Sequence, residues 1–512
     1  MTSVLASTRA GGIRGVQEGD VLIFRGIPFA RPPVGRLRFR PPEPPEPWSG
    51  VRDCLGFGPQ CPQLPDGADT GNEEFISEDS LTLNVWTPAT DGARRPVMVW
   101  LHGGSLIVWG ARDPDANGMS LAAREDVVVV TVQYRLGVFG FLHLAEIAGP
   151  GYEQSGNLGF LDEVAALEWV RDNMEAFGGD PDNVTIFGNS SGADSVSTLM
   201  CMPQARGLFH RGIIQSGCPT LAAQPDRASD VARKVMELAG ASTVEDLRAM
   251  SMEALLEVQN RLFESYPADF AFVPVVDGVT LSHTPLETFA AGNHARIPVM
   301  IGSALDEMRL FSAMWGYRLQ DVDPEAIREL WRDLLDDAAW AGIERAYLAG
   351  RTGEEREDAL FRLLGDVVLR APLLRLAEHA AELQPTFVYL FSYRATADGF
   401  KAAHMTEIPF IFGTLETPYA IRRLGEDPRR FAFGDVVQHT WGEFARTGDP
   451  NNEKLPAWPA YALQGRPTMV FDIESRVEDD PLSEERKAWD QVAFDGFSPT
   501  LDEIATLDLA PG

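Results

Sequence analysis

Through the middle of the chain, short apolar runs alternate with longer amphipathic stretches, and the change of period separates strands from helices. Residues 96–101 (PVMVWL) and 126–133 (DVVVVTVQ) are continuous apolar runs of strand length. The second is rich in β-branched residues, as a strand covered on both faces of a parallel sheet should be. Over residues 157–177 the apolar side chains fall at helical spacing, through Leu161, Val164, Leu167, Trp169, Met174 and Phe177, and Gly178 and Gly179 stop the helix. Residues 184–187 (VTIF) form a short strand, 191–202 a helix, and 297–301 and 386–391 two further strands. Between the last two, from 323 to 382, the chain is charged and mostly helical. This repetition of strand and helix predicts an α/β fold with a mainly parallel central sheet flanked by helices. Ahead of it, residues 31–48 carry Pro-Pro at 32–33, 41–42 and 44–45. Proline has no N–H and a fixed φ, so this segment is an extended strap, not a helix. No internal repeat breaks the pattern. The chain reads as one domain over 1–512, with an extended N-terminal segment and helical insertions around 220–290 and 323–382.

Composition narrows the function classes. The 45% hydrophobic and 23% charged residues are those of a globular protein, and 47 Gly with 36 Pro predict many turns and long loops. The net charge of -31 repels nucleic-acid phosphates and anionic membrane surfaces, so neither is expected as a partner. The same charge serves solubility or steers cationic substrates, and composition does not choose between them. No run approaches the ~18 apolar residues of a membrane helix, since the strongest, 127–132, is strand-length. Residues 1–15 lack the apolar core of a secretory signal. The only cysteines are Cys54, Cys61, Cys201 and Cys218, which predicts free thiols in a reducing cytoplasm.

The chemistry-bearing motif is Gly188-Asn189-Ser190-Ser191-Gly192, a G-x-S-x-G placed between the strand at 184–187 and the helix at 191–202. A sharp strand-to-helix turn lifts the serine Oγ above a sheet edge, and side chains two residues to either side would collide there. The pattern predicts Ser190 as a nucleophile on an α/β-hydrolase fold. His102-Gly103-Gly104-Ser105 directly follows the strand at 96–101. Such a loop supplies backbone N–H groups to an oxyanion, here Gly104 and Ser105, with the N–H of Ser191 as a third donor. His102 precedes the serine and is expected to shape the loop.

Serine needs a base, and in this fold the order is serine, acid, histidine. His210 follows the serine too soon, His283 and His294 precede the strand at 297–301, and His379 and His439 lie in helix-like stretches. His404 lies in a loop after the strand at 386–391, the expected place for the base. The acid should follow an earlier strand. Asp306 and Glu307 both stand there, and spacing does not separate them.

At this level the chain resembles the type-B carboxylesterase/lipase family, which includes cholinesterases and bacterial p-nitrobenzyl esterases. Residues 177–192 (FGGDPDNVTIFGNSSG) fit the family's serine signature, and 78–88 (EDSLTLNVWTP) fit a second one. Further matches are 25–30 (RGIPFA), 134–137 (YRLG), 215–217 (QSG) and 447–451 (TGDPN), so the resemblance spans about residues 20–475. It implies Glu307 as the acid, with Met308 where glycine is common. It also implies His404, in the context His404-Met405-Thr406-Glu407-Ile408-Pro409-Phe410, as the base. By the same resemblance Ser216 supports the acid.

Departures from the family pattern sharpen the expectation. Asn189 stands where a glutamate usually precedes the nucleophile, which removes a carboxylate and disfavours cationic substrates. Ser80 replaces a cysteine whose usual partner position corresponds to Cys61, so the loop 61–80 is expected to lack its disulfide. That loop holds no tryptophan and one aromatic, Phe75, which argues against recognition of a quaternary ammonium. The implied activity is hydrolysis of small, uncharged esters through an acyl-enzyme, with no metal and no cofactor. Leu106, Val108, Trp109, Met308, Phe311 and Met405 are the candidates for an apolar acyl or alcohol pocket. The same machinery would serve a carbamate or amide hydrolase, or an acyltransferase. A non-catalytic interaction protein of this fold would be expected to lack the serine.

Overall fold

A computed structural model describes residues 2–65, 75–264, 271–315, 323–332 and 334–494. Its centre is a 13-stranded mixed sheet. The strands are β1 (Thr2–Thr8), β2 (Gly11–Glu18), β3 (Val21–Pro28), β4 (Val51–Asp53), β5 (Thr82–Thr87), β6 (Arg95–Leu101), β7 (Val128–Val132), β8 (Gly179–Asn189), β9 (Arg211–Gln215), β10 (Val299–Ala304), β11 (Thr386–Phe391), β12 (Pro467–Phe471) and β13 (Arg476–Asp479). Their spatial order is β1-β2-β3-β5-β7-β6-β8-β9-β10-β11-β12-β13, with β4 beside β2. From β7 to β12 every neighbouring pair is parallel, the pairs on either side of this block are antiparallel, and β4 lies parallel to β2.

Side-chain alternation along the parallel strands feeds two cores. Val97, Val99 and Leu101 of β6, with Val128, Val130 and Val132 of β7, face one side. Met98, Trp100 and Val129 face the other. Buried on both faces, these strands have no polar side to show, which is why they read as unbroken apolar runs. The helices Leu158–Asn173, Ser191–Cys201 and Ala371–Ala381 contribute to the first core, and Arg429–Thr447 to the second.

The elements expected in the middle of the chain are present, with shifted ends. β7 begins at Val128 because Asp126, at φ 49, caps the helix Met119–Glu125. β8 is longer than the apolar run 184–187 and pairs with β6 from Gly179 onward through an irregularity. β10 starts at Val299, two residues later than expected, since Pro298 has no N–H for the ladder. The helix predicted for 157–177 is α-helical over Leu158–Asn173 and closes in a 3-10 turn, Met174–Phe177, with Gly178 left-handed. The strap 31–48 is irregular apart from one 3-10 turn, Gly35–Leu37. Helices occupy the stretch after 323 at Pro324–Leu330, Asp337–Tyr347, Gly353–Gly365 and Ala371–Ala381, the last two joined by a π-helical turn at Asp366–Arg370. No helix among the described residues is long and apolar enough to cross a membrane.

Candidate active site

The candidate residues converge at the carboxyl ends of the parallel strands, where α/β sheets present their crevices. β6 leads into the loop of Gly104 and Ser105, β8 into Ser190, β9 into Ser216, β10 into Glu307, and β11 into the loop of His404.

Ser190 sits between β8 and the helix Ser191–Cys201 with φ 59 and ψ −131, a conformation that L-residues rarely adopt. It stays partly exposed while residues 184–189 and 191–201 around it are buried. Its N–H is held by the carbonyl of Gln215 at 2.9 Å. The flanking glycines are needed for close approach. A Cβ on Gly188 would lie 2.4 Å from the carbonyl oxygen of Gly192, and one on Gly192 would lie 2.1 Å from that of Leu101.

Backbone strain gathers in these loops. Ser105, Leu106, Trp109, Ser190, Ser216, Lys401 and Met405 all have positive φ. Among the described residues, the backbone N–H groups of Gly104, Ser105 and Ser191 make no hydrogen bond, whereas that of Leu106 donates to Ser191 Oγ at 3.3 Å. Gly103 packs so tightly that a Cβ would lie 2.8 Å from the carbonyl oxygen of Asn189. His102 is buried, stacks on Tyr134 at 4.3 Å, and donates through Nδ1 to the carbonyl of Gly103 at 2.8 Å. Burial pushes its pKa down to about 4, so the ring is neutral near pH 7. Tyr134 fixes the same turn by donating to the His102 carbonyl at 2.6 Å.

Glu307 and His404 are both buried and meet directly, His404 Nδ1–H donating to Glu307 Oε2 at 2.5 Å. The other carboxylate oxygen accepts from Ser216 Oγ at 2.6 Å and from the N–H of Ala304 at 2.6 Å. Asp306, the alternative acid, turns away, and its Oδ2 accepts from the N–H of Ala402 at 3.4 Å. The two carboxylates that spacing left open are thus separated by direction. His404 Nε2 is buried without a partner among the described residues.

Two further buried carboxyl groups line the site, and neither stood out in the sequence reading. Glu407 Oε1 accepts from Asn189 Nδ2 at 3.1 Å, and burial, with the neighbouring Glu307 charge, pushes its pKa up to about 7. Asp194, in the first turn of the helix after Ser190, accepts the N–H of Cys218 at 2.5 Å, and burial raises it to about 7. Glu407 was visible only as part of the motif around His404, and Asp194 carried no signal.

The six apolar candidates divide. Leu106 and Met308 are buried in the first core and Met405 in the second. Val108, Trp109 and Phe311 remain partly exposed. The Phe311 ring lies 5.6 Å from that of His404, and Trp109 Cζ3 lies 3.6 Å from where a Cβ on Gly103 would be. The four thiols are free and buried, and Cys61 Sγ accepts the N–H of Leu136 at 3.2 Å. Of the loop 61–80, residues 66–74 lie outside the described residues.

Sheet order and strand-to-helix serine turn together define an α/β-hydrolase. Comparison with known proteins narrows the class. The model of the carboxylesterase family matches residues 2–489. The para-nitrobenzyl esterase of Bacillus subtilis is 36% identical over 502 residues, covering 95% of this chain and 98% of its own. The liver carboxylesterase of Sus scrofa is 37% identical over 490 residues, covering 86% and 83%. The crystal structure of the Geobacillus stearothermophilus carboxylesterase EST55 superposes with a TM-score of 0.85 at 38% identity, covering 95% of this chain and 99% of that one. The chain belongs to the carboxylesterase family, and it is a serine esterase that hydrolyses carboxylic esters.

Proposed function

We propose that Ser190, Glu307 and His404 carry this hydrolysis as nucleophile, acid and base, and that the N–H groups of Gly104, Ser105 and Ser191 hold the oxyanion. The carrying observation is the 2.5 Å contact between Glu307 and His404 Nδ1, which leaves Nε2 unpartnered. Glu307 fixes the tautomer with Nε2 as acceptor and stabilises the imidazolium that forms. Nε2 takes the Ser190 proton as Oγ attacks the ester carbonyl, and then delivers it to the leaving alkoxide. Water attacks the acyl-enzyme by the same route, its proton passing to His404 and back to Ser190 as the acid departs. The strained Ser190 turn lies against the glycine loop, its Cβ 3.2 Å from where a Cβ on Gly103 would be, and this closeness supports an oxyanion held by the loop's N–H groups.

For the substrate we propose an uncharged ester with an apolar or aryl group. Phe311 beside His404 and Trp109 beside Gly103 offer apolar surface, and Asn189 puts an amide where a carboxylate would favour cations. The name of the Bacillus relative, a para-nitrobenzyl esterase, supports an arylmethyl ester. We read residues 1–512 as one hydrolase domain whose insertions frame the site, and the free thiols as those of a reducing, cytoplasmic compartment.

The assignment is tested by fluorophosphonate labelling followed by peptide mass spectrometry, alongside Ser190→Ala. Label on Ser190 alone, and a kcat lowered roughly 10⁴-fold or more on a p-nitrophenyl ester, is the expected result. Label on another residue, or a Ser190→Ala variant with substantial activity, would overturn it.

A further inference from the structure

The loops carrying Glu307 and His404 leave different strands, and a charged cluster joins them behind the site. Arg309 follows Glu307 by two residues and Lys401 precedes His404 by three. Both donate to one carboxylate, Asp358. Lys401 Nζ lies 2.7 Å from Oδ1 and 2.9 Å from Oδ2, and Arg309 reaches Oδ1 through Nη2. The side chains of Arg309, Asp358 and Lys401 are 8%, 13% and 18% exposed, so water screens their attraction less than at an open surface. Burial raises the Asp358 pKa, but the bonds from Lys401 and Arg309 outweigh it and hold the carboxyl below its ordinary value.

Asp358 lies in the helix Gly353–Gly365, outside the central sheet. That helix touches the acid loop at two more points. The Arg309 guanidinium sits over the Phe361 ring at 4.3 Å, and a Cβ on Gly365 would lie 3.1 Å from Glu307 Cβ. The backbones of the two loops are also tied, Asp306 N–H to the Ala402 carbonyl at 2.9 Å and His404 N–H to that of Glu307 at 3.2 Å. Lys401 is held at φ 47, a conformation that costs a side-chain-bearing residue free energy and that its neighbours must stabilise.

We propose that Asp358 is a positioning residue: by bonding Arg309 and Lys401 together it fixes the acid loop against the base loop and so keeps Glu307 on His404 through turnover. This rests on the assignment of Glu307 and His404 as acid and base. Asp358 itself touches neither substrate nor reacting atom.

Asp358→Asn removes the shared carboxylate while each cation keeps one of its own, Lys401 with Glu354 at 2.7 Å and Arg309 with Glu357 at 3.8 Å. The variant should therefore fold. Its kcat is expected to fall roughly tenfold with KM within about twofold, since a small misplacement of reacting groups is felt in the chemical step. Asp358→Glu, which can still bridge, should recover most of that loss. Lys401→Met should lose as much as Asp358→Asn, and the double variant no more than either alone. A folded Asp358→Asn with kcat within twofold of wild type, a Glu variant as slow as the Asn one, or additive losses in the double variant would each overturn the clamp. If Asp358→Asn does not fold, Lys401→Met decides by the same threshold. Glu307→Gln and His404→Ala serve as controls. Full activity in either removes the assignment on which the clamp rests, whereas inactive controls beside an unaffected Asp358→Asn remove the clamp alone.

Discussion

At the scale of single residues, the site sets one accepting histidine nitrogen among several buried carboxyl groups. Glu307 is held by three donors, His404, Ser216 and Ala304. Glu407, a short step away, accepts from Asn189, and burial with the neighbouring Glu307 charge pushes it up to about 7. Its folded pKa lies above the ordinary value near 4.5, so the folded protein binds the proton more tightly than the unfolded chain. The stability Glu407 contributes is therefore complete below about pH 4.5 and lost as pH rises through about 7. Glu407→Gln removes that loss and keeps an acceptor for Asn189. Its unfolding free energy should rise relative to that of wild type between pH 5 and pH 8, the variant becoming the more stable of the two, as read by urea titration at each pH. An unchanged difference would mean that Glu407 does not titrate in this range. Ser190 stood out by its motif, and chain order made the loop of His404 the expected place for a base. Choosing Glu307 over Asp306 needed the family resemblance, because adjacent carboxylates differ only in the direction they point.

Elements bring these residues together by ending where they do. Five successive parallel strands, β6, β8, β9, β10 and β11, deliver the glycine loop, Ser190, Ser216, Glu307 and His404 to one edge. The loop after β6 illustrates how closely the backbone is placed. Gly104 has φ 104, and a Cβ on it would lie 2.2 Å from the carbonyl oxygen of Val108. Gly104→Ala must therefore shift the loop and its N–H groups. A fall of about 10²-fold in kcat is expected, with circular dichroism and melting temperature close to wild type. A large drop in melting temperature instead would assign Gly104 to folding. The central strands were legible because burial on both faces makes them continuously apolar. The N-terminal strands were not, since β2 (GGIRGVQE) mixes glycine and charge and is defined by its neighbours β1 and β3.

For the whole molecule, 75 acidic against 44 basic residues leave a surplus that short ion pairs at the surface do not neutralise. Exposed pairs such as Arg233 with Glu146 contribute little to stability. Self-repulsion of the surplus is the larger surface term, and salt screens it. Raising NaCl from 10 mM to 0.5 M at pH 8 should thus raise the melting temperature. A fall would show that the pairs matter more than the surplus.

The parallel core, the serine turn and the glycine loop could be read along the chain because each rests on local rules, whereas chain order pointed to His404 only as the candidate base. Those rules are the two-faced burial of a strand and the small residues a sharp turn requires. Tertiary structure alone decided which way Glu307 and Asp306 face, that Asn189 holds Glu407, and that Asp358 joins Arg309 to Lys401. Each of these depends on groups tens to hundreds of residues apart meeting at hydrogen-bond distance, and no spacing along the chain encodes such a meeting.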